Sequence, residues 1–315
     1  MKKLLLSIGI PLVFIFLIRG VFGVRDWQDF YSVMSITFLF LTPAAVGALT
    51  IFFSSTRLVE SRSYQFFMPW VPIMLFFLLT LFFKVEGLAC WVMILPVFLI
   101  ASSIGGLVAG YFKLKKKDDT LPVSLLAVLP LFLSPLEQAI GKIPGQYQAF
   151  TQIDIRAPNA KIWSNVTRVR TIEPSQDHAW FTRALGFPRP IKAELDFEGV
   201  GASRKAIFDH GLVFEETVIA YQHQQHMTFS IKADPYDIPS TTMDEHIVIG
   251  GEYFDVLKGT YTLELLNDST YCLHLSSQFK LTTTFNFYAS WWAKWIMEDI
   301  QNNILEVIKN RSENE

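Results

Sequence analysis

The residues best suited to chemistry in this 315-residue sequence are polar side chains set among apolar ones in its second half. Arg204, Glu216 and His226 fall on three neighbouring stretches that alternate apolar and polar residues. If Phe214, Glu216 and Val218 share the buried face of a strand, Glu216 meets Arg204 inside a cavity. A carboxylate there must pair or take up a proton, and such a pair can orient a ligand head group. In the opposite phase the two form an outward ion pair across a hairpin. "HQQH", His223 to His226, brings two imidazoles to a strand turn. Zinc needs one or two more ligands, and none follows nearby, so a solvated turn is the plainer reading. "GVGAS", Gly199 to Ser203, is a fragment of a phosphate loop, but it joins strand to strand and reads as a turn. Cys90 and Cys272 are the only cysteines, too few for a disulfide framework or a cysteine-based zinc site. No G-x-S-x-G, H-E-x-x-H, C-x-x-C or Walker sequence occurs. No catalytic residue, metal ligand or cofactor is assigned.

A second feature is aromatic. "FYASWWAKWIMEDIQNNILEVIK", Phe287 to Lys309, places three tryptophans within five residues. At 100° per residue, Trp292, Ile296, Ile300, Ile304, Val307 and Ile308 form one broad stripe, while Phe287, Trp291 and Trp295 lie largely off it. Trp292 is therefore expected to be core or pocket wall. Trp291 and Trp295 form a further apolar patch on the first two turns. Either sheet edge and loops cover that patch, or it is an interfacial patch facing the bilayer or the anchor helices, a depth at which the amphipathic indole is favoured.

The elements that must position these residues divide the chain in two. Hydrophobic residues make up 51% and charged residues 18%, and nearly all the apolar excess precedes residue 140. A net charge of −2 offers no polyanion-binding surface, so nucleic acid is not an expected partner. Five apolar spans are expected over residues 4–22, 31–53, 66–83, 88–111 and 121–136, in an all-α membrane anchor of residues 1–138. The fifth is short and carries Pro122, Pro130 and Pro135, so it either spans with a kink or re-enters. The first resembles a signal peptide but lacks an A-x-A-like cleavage site, and reads as an uncleaved helix. Lysine and arginine in short loops number eight on the N-terminal side and three on the other. This places the N-terminus in the cytoplasm of a multi-pass cell (plasma or inner) membrane protein and, after five spans, residues 139–315 outside it. Arg19 is the one ionisable residue within a span, near a helix end where it can snorkel. Small residues in "LTPAAVGAL" and "SSIGGLVAG" suit close helix packing more than gating.

From Tyr147 onward the pattern becomes a strand, two short helices, about six antiparallel strands and one helix of about 24 residues, about 36 Å long. "IKAELDFEG" alternates cleanly, with Ile191, Ala193, Leu195 and Phe197 on one face. Hairpins are expected at Asp209-His210-Gly211 and at Asn267-Asp268. A curved sheet with one apolar face needs a cover, and only the terminal helix is long enough. Through "IDIRAPNAKIW", "GVGASRKAIFDHGLVFEE", "GGEYFDVLKGTYTLEL" and "ILEVIKNRSE", in that order, residues 147–313 resemble the START/Bet v 1-like (SRPBCC) superfamily. The likeness is to its polyketide cyclase/lipid-transport-like branch. The resemblance implies a helix-grip α+β domain with a cavity for an apolar or amphipathic ligand, and implies no reaction. Leu195, Phe197, Phe229, Tyr261 and Leu273 on the sheet and Trp292, Ile296 and Ile300 on the helix are then the expected lining, with Arg204 and Glu216 as head-group contacts. Three functions follow: a membrane-anchored binder of a lipid or other hydrophobic molecule, an interaction or sensing module with a filled core, and a cyclase- or hydrolase-like enzyme.

Overall fold

The computed structural model describes residues 2–115, 121–233 and 250–314. Two compact units emerge, one of residues up to Ile143 with Thr283–Phe285, the other of Pro144–Thr282 and residues from Asn286 onward.

The first unit is helical: α1 (Lys2–Phe22), α2 (Thr42–Phe53) behind a π-helical turn at Thr37–Leu41, α3 (Thr56–Val59), α4 (Arg62–Phe67), α5 (Trp70–Phe82), α6 (Leu88–Lys115) and α7 (Leu121–Ile140). Among the described residues, three stretches are long and apolar enough to cross a membrane, Lys3–Phe22, Arg62–Phe82 and Leu88–Lys115. The segments expected over 31–53 and 121–136 become shorter apolar helices, Thr37–Phe53 and Ser124–Ile140. The helix after residue 31 starts late because polar groups collect its first amides. The Ser35 hydroxyl accepts from the Phe38 N–H at 3.1 Å, and the Glu137 carboxylate accepts from Ile36 and Thr37 at 2.7 and 2.8 Å. Helix α7 continues through Pro130 and Pro135.

Polar contacts group the helix ends. Arg19, late in α1, pairs with Glu86 just before α6 rather than snorkelling alone. Lys113, late in α6, donates to the carbonyls of Ile51, Phe52 and Ser54 at 3.0, 2.6 and 2.5 Å, capping the C-terminus of α2. Leu126 of α7 packs by Ile51 and Val59, and the Ser134 hydroxyl donates to the Phe30 carbonyl at 2.8 Å. With Glu137 at the start of the π turn, α7 runs antiparallel to α2 along its length.

The second unit follows the expected order: β1 (Ile143–Ile155), α8 (Asn159–Thr167), α9 (Trp180–Ala184), six strands and a terminal helix α10 (Asn286–Asn314) of 29 residues. The six are β2 (Pro190–Leu195), β3 (Ser203–Phe208), β4 (Val213–Gln222), β5 (His226–Ala233), β6 (Phe254–Asn267) and β7 (Thr270–Thr283). They form one seven-stranded sheet in the order β1-β7-β6-β5-β4-β3-β2, antiparallel from β2 through β7. Both hairpins lie where the turn residues placed them, and His210, with φ 57°, turns the first beside Gly211. "GVGAS" is the β2–β3 turn, with φ 88° at Gly201. The side chains of Ile155, Trp163, Phe229, Tyr261, Leu273, Leu305 and Ile308 meet in the main core.

Helix α10 grips the sheet with small residues. Ala289, Ala293 and Met297 pack against Phe279 and Leu281 of β7, and Gln301 continues the row, bonded to Thr151 and Ser277 at 3.1 and 2.8 Å. A neighbouring row holds α9 and the chain before it. Asp299 accepts from both the Thr182 N–H and hydroxyl, at 2.9 and 2.7 Å, and Asn303 accepts from the His178 N–H at 2.8 Å. Trp292, Ile296 and Ile300 lie between these rows and stay half-buried. Over the first turns the gripping row is thus turned from Trp292, Ile296 and Ile300, whereas Ile304, Val307 and Ile308 of the same stripe do pack into the core.

Candidate functional site

Arg204 on β3 and Glu216 on β4 are direct cross-strand partners. Ser203, Lys205, Glu215 and Thr217 are exposed, so alternation turns Arg204 and Glu216 inward beside Ala202 and Val218. Their side chains are 4% and 5% exposed and form a hydrogen-bonded ion pair between the Arg204 Nη1 and the Glu216 Oε2. The guanidinium carbon lies 5.1 Å from the Phe229 ring centroid and 6.0 Å from that of Tyr261. Gly259, opposite Phe229, makes this possible: a Cβ there would come within 2.4 Å of the Phe229 ring. Burial pushes the Glu216 carboxyl above its ordinary range, more than Arg204 pulls it back. Burial opposes the charge of Arg204, but Glu216 and Tyr261 outweigh it and hold the guanidinium protonated.

Leu195, Phe229, Tyr261 and Leu273 share one buried cluster with Leu305 and Ile308 of α10. Phe197 does not join them. It is 50% exposed, because β2 ends at Leu195 and the Asp196 carboxylate accepts from the Phe197 and Ser203 N–H groups at 2.7 and 2.9 Å, turning the chain away. Trp292, Ile296 and Ile300 form the half-buried row described above. Trp291 is 73% exposed and Trp295 51%, and Trp180 and Phe287 are exposed with them. One face of Trp295 stacks on Phe181 of α9 at 4.7 Å, a partner no sequence periodicity marks.

The other polar groups go elsewhere. His223 meets Glu198 at 3.2 Å, while His226 sits between Thr228 and Thr262 at 2.9 and 3.2 Å. No group of three metal-ligating side chains occurs among the described residues. Cys272 lies 4.0 Å from His274, which meets Glu264 at 3.2 Å. Burial, with a contribution from Asp154, pushes its thiol up to about 11, the reverse of what a nucleophilic thiolate needs. An open groove of about 470 Å³ runs between Arg168–Thr171 and Lys192–Leu195 on the β2 edge. Two of its cations are engaged, Arg168 with Glu198 at 3.1 Å and Lys192 with Glu194 at 2.6 Å.

No protein-family model matches the chain, and no curated protein matches it. Among solved structures it is similar to truncated norcoclaurine synthase from Thalictrum flavum, at 12% identity over 54% of this chain and 94% of that one, with a TM-score of 0.32. A START superfamily protein from Mycobacterium smegmatis matches at 8% identity over 53% and 97%, with a TM-score of 0.35. The protein XoxI from Bacillus cereus matches at 12% identity over 52% and 94%, with a TM-score of 0.33. The C-terminal half has a helix-grip architecture, a curled seven-stranded sheet packed on a long closing helix. Its seven curled strands and 29-residue closing helix define that architecture directly.

Proposed function

We propose that the C-terminal unit binds a lipid or other hydrophobic small molecule on the concave side of its sheet, and that the helical unit anchors it to a membrane. The observation that carries this reading is the inward Arg204–Glu216 pair. A fold that needed only a filled core gains nothing from desolvating two charges, which apolar residues could replace at no loss of stability. The half-buried row Trp292, Ile296 and Ile300 supplies apolar wall on α10, and Leu195, Phe229, Tyr261 and Leu273 supply it on the sheet. Each buried CH₂ contributes about 0.8 kcal/mol, so ten give about 8 before ordering costs, compatible with roughly micromolar binding. Mass spectrometry of the intact protein after mild purification should find a stoichiometric hydrophobic molecule. Ligand-free protein that takes up none on incubation with a lipid extract would sink the reading. The alternative, an interaction module with a filled core, draws on the tight cluster about Trp163, Tyr261 and Leu305.

The anchor belongs in a cell membrane with its N-terminus in the cytoplasm. Eight loop cations against three support that side, and α7 lying antiparallel to α2 supports a fifth crossing. Reporters fused after Lys115 and after residue 314 should then give opposite sidedness; the same side for both removes the extracytoplasmic placement.

Trp291 and Trp295 extend the apolar surface at the start of α10 toward the bilayer, with Trp180 and Phe287 beside them. In nanodiscs containing brominated phosphatidylcholine, Trp291→Ser with Trp295→Ser should lower the lipid-quenched share of tryptophan emission. Melting should shift little, since the lost Trp295 stack is worth about 1 kcal/mol. A steep fall in melting would make both rings core, and an unchanged quenched share would place them in water.

A further inference from the structure

We infer that the polar end of the bound molecule is an uncharged hydrogen-bond acceptor, an ester, amide or ketone carbonyl, received by Arg204. The inference rests on the ligand-binding reading above and narrows it to a chemical class.

A guanidinium carries five N–H donors and no acceptor. Arg204 gives Nη1 to Glu216, but its Nε, fully buried, has no partner among the described residues. A second buried donor is in the same condition. The Asn303 Oδ1 is taken by the His178 N–H at 2.8 Å, which fixes the amide orientation, and leaves the Nδ2 without a partner among the described residues. Asn303 lies one turn before Val307, which packs on Ala193 of β2, and Leu195 in the same strand pairs with Arg204. Both vacancies are therefore donors on the side of the sheet that α10 covers. A buried unsatisfied donor costs about 1–3 kcal/mol, which an arriving acceptor oxygen recovers.

Charge decides between kinds of acceptor. Glu216 already neutralises Arg204, so a carboxylate or phosphate would leave the site with a net negative charge. That charge would be buried beside an ionised Glu216 and against the faces of Phe229 and Tyr261, whose quadrupoles are negative. A neutral carbonyl meets the Nε–H without that penalty.

The test is a competition on the full-length protein in detergent. It is incubated at pH 7.5 with equimolar hexadecane, methyl hexadecanoate and hexadecanoate, and the molecules retained after gel filtration are quantified by mass spectrometry. The ester should be retained at least tenfold over both the ionised acid and the hydrocarbon. Arg204→Lys, which keeps the charge but loses the Nε–H, should erase the preference over hexadecane. Acid retained as well as ester, or hexadecane as well as either, overturns the inference and leaves hydrophobic binding standing. Retention of none of the three removes the binding reading itself, and this inference with it.

Discussion

Replacing Arg204 by methionine is expected to destabilise the C-terminal unit by about 3–5 kcal/mol, because it leaves Glu216 buried without its cation. Replacing both residues by methionine should cost far less, since the second change removes the stranded carboxylate along with its desolvation penalty. That sign inversion separates a buried pair from a surface one, for which each single change would matter by less than about 1 kcal/mol. The single variant should also depend on pH. Without Arg204, the burial that already raises the Glu216 carboxyl acts unopposed. A carboxyl whose folded-state value exceeds its unfolded value of 4.5 contributes stability that is fully present below that value and lost as pH rises through the folded one. The deficit of Arg204→Met relative to wild type should therefore shrink toward pH 4.5 and grow toward neutrality. Hydrogen exchange of β3–β5 peptides in the full-length protein reads this local stability. Equal costs for the single and double variants would mean that the arginine acts through packing rather than charge.

The inward phase of that pair was legible only once register was known. In the sequence Arg204 and Glu216 are two polar residues on adjacent strands, and either face was open to them. The order of elements was far more legible. Period-2 alternation, the turns at Asp209–Gly211 and Asn267–Asp268, and one long terminal helix are local signals, and the structure follows them in order. What misled was the assumption that alternation continues to the end of an alternating string. Phe197 fits the face of Leu195, but the Asp196 side chain captures two amides and turns the chain one residue earlier. Helix α10 shows a different limit. Hydrophobicity points to Trp292, Ile296 and Ile300, while Ala289 and Ala293 are the residues there that pack on Phe279 and Leu281, and a hydropathy pattern scores their small size as weakness. The apolar helices of the first unit were legible as apolar runs, but their starts were not. Glu137 caps a helix begun 100 residues earlier, a contact no sequence window contains.

The second large effect is expected in the helical unit. Gly105→Leu should cost about 3 kcal/mol or more, at the upper end of what overpacking a tight contact does. A Cβ on Gly105 would stand 1.9 Å from the Ala44 carbonyl oxygen, and one on Gly47 would stand 1.8 Å from that of Ser102. Both obstacles are backbone, so neither can swing aside as a side chain does. Helices α2 and α6 must then separate, and in the bilayer placement proposed above lipid would give them no hydrophobic drive to return, since close packing would be most of what holds them. Separation would also draw Lys113 from the three carbonyls it caps, leaving a helix end unsatisfied where water is scarce. Gly9→Leu and Gly20→Leu in α1 are the matched controls, because a Cβ at either position meets nothing within 4 Å. Thermal melting of the purified protein should drop for Gly105→Leu and hold for both controls. A melt like that of wild type would show that α2 and α6 slide apart at little cost. The small residues would then serve motion rather than packing, and the helical unit would be more than an anchor.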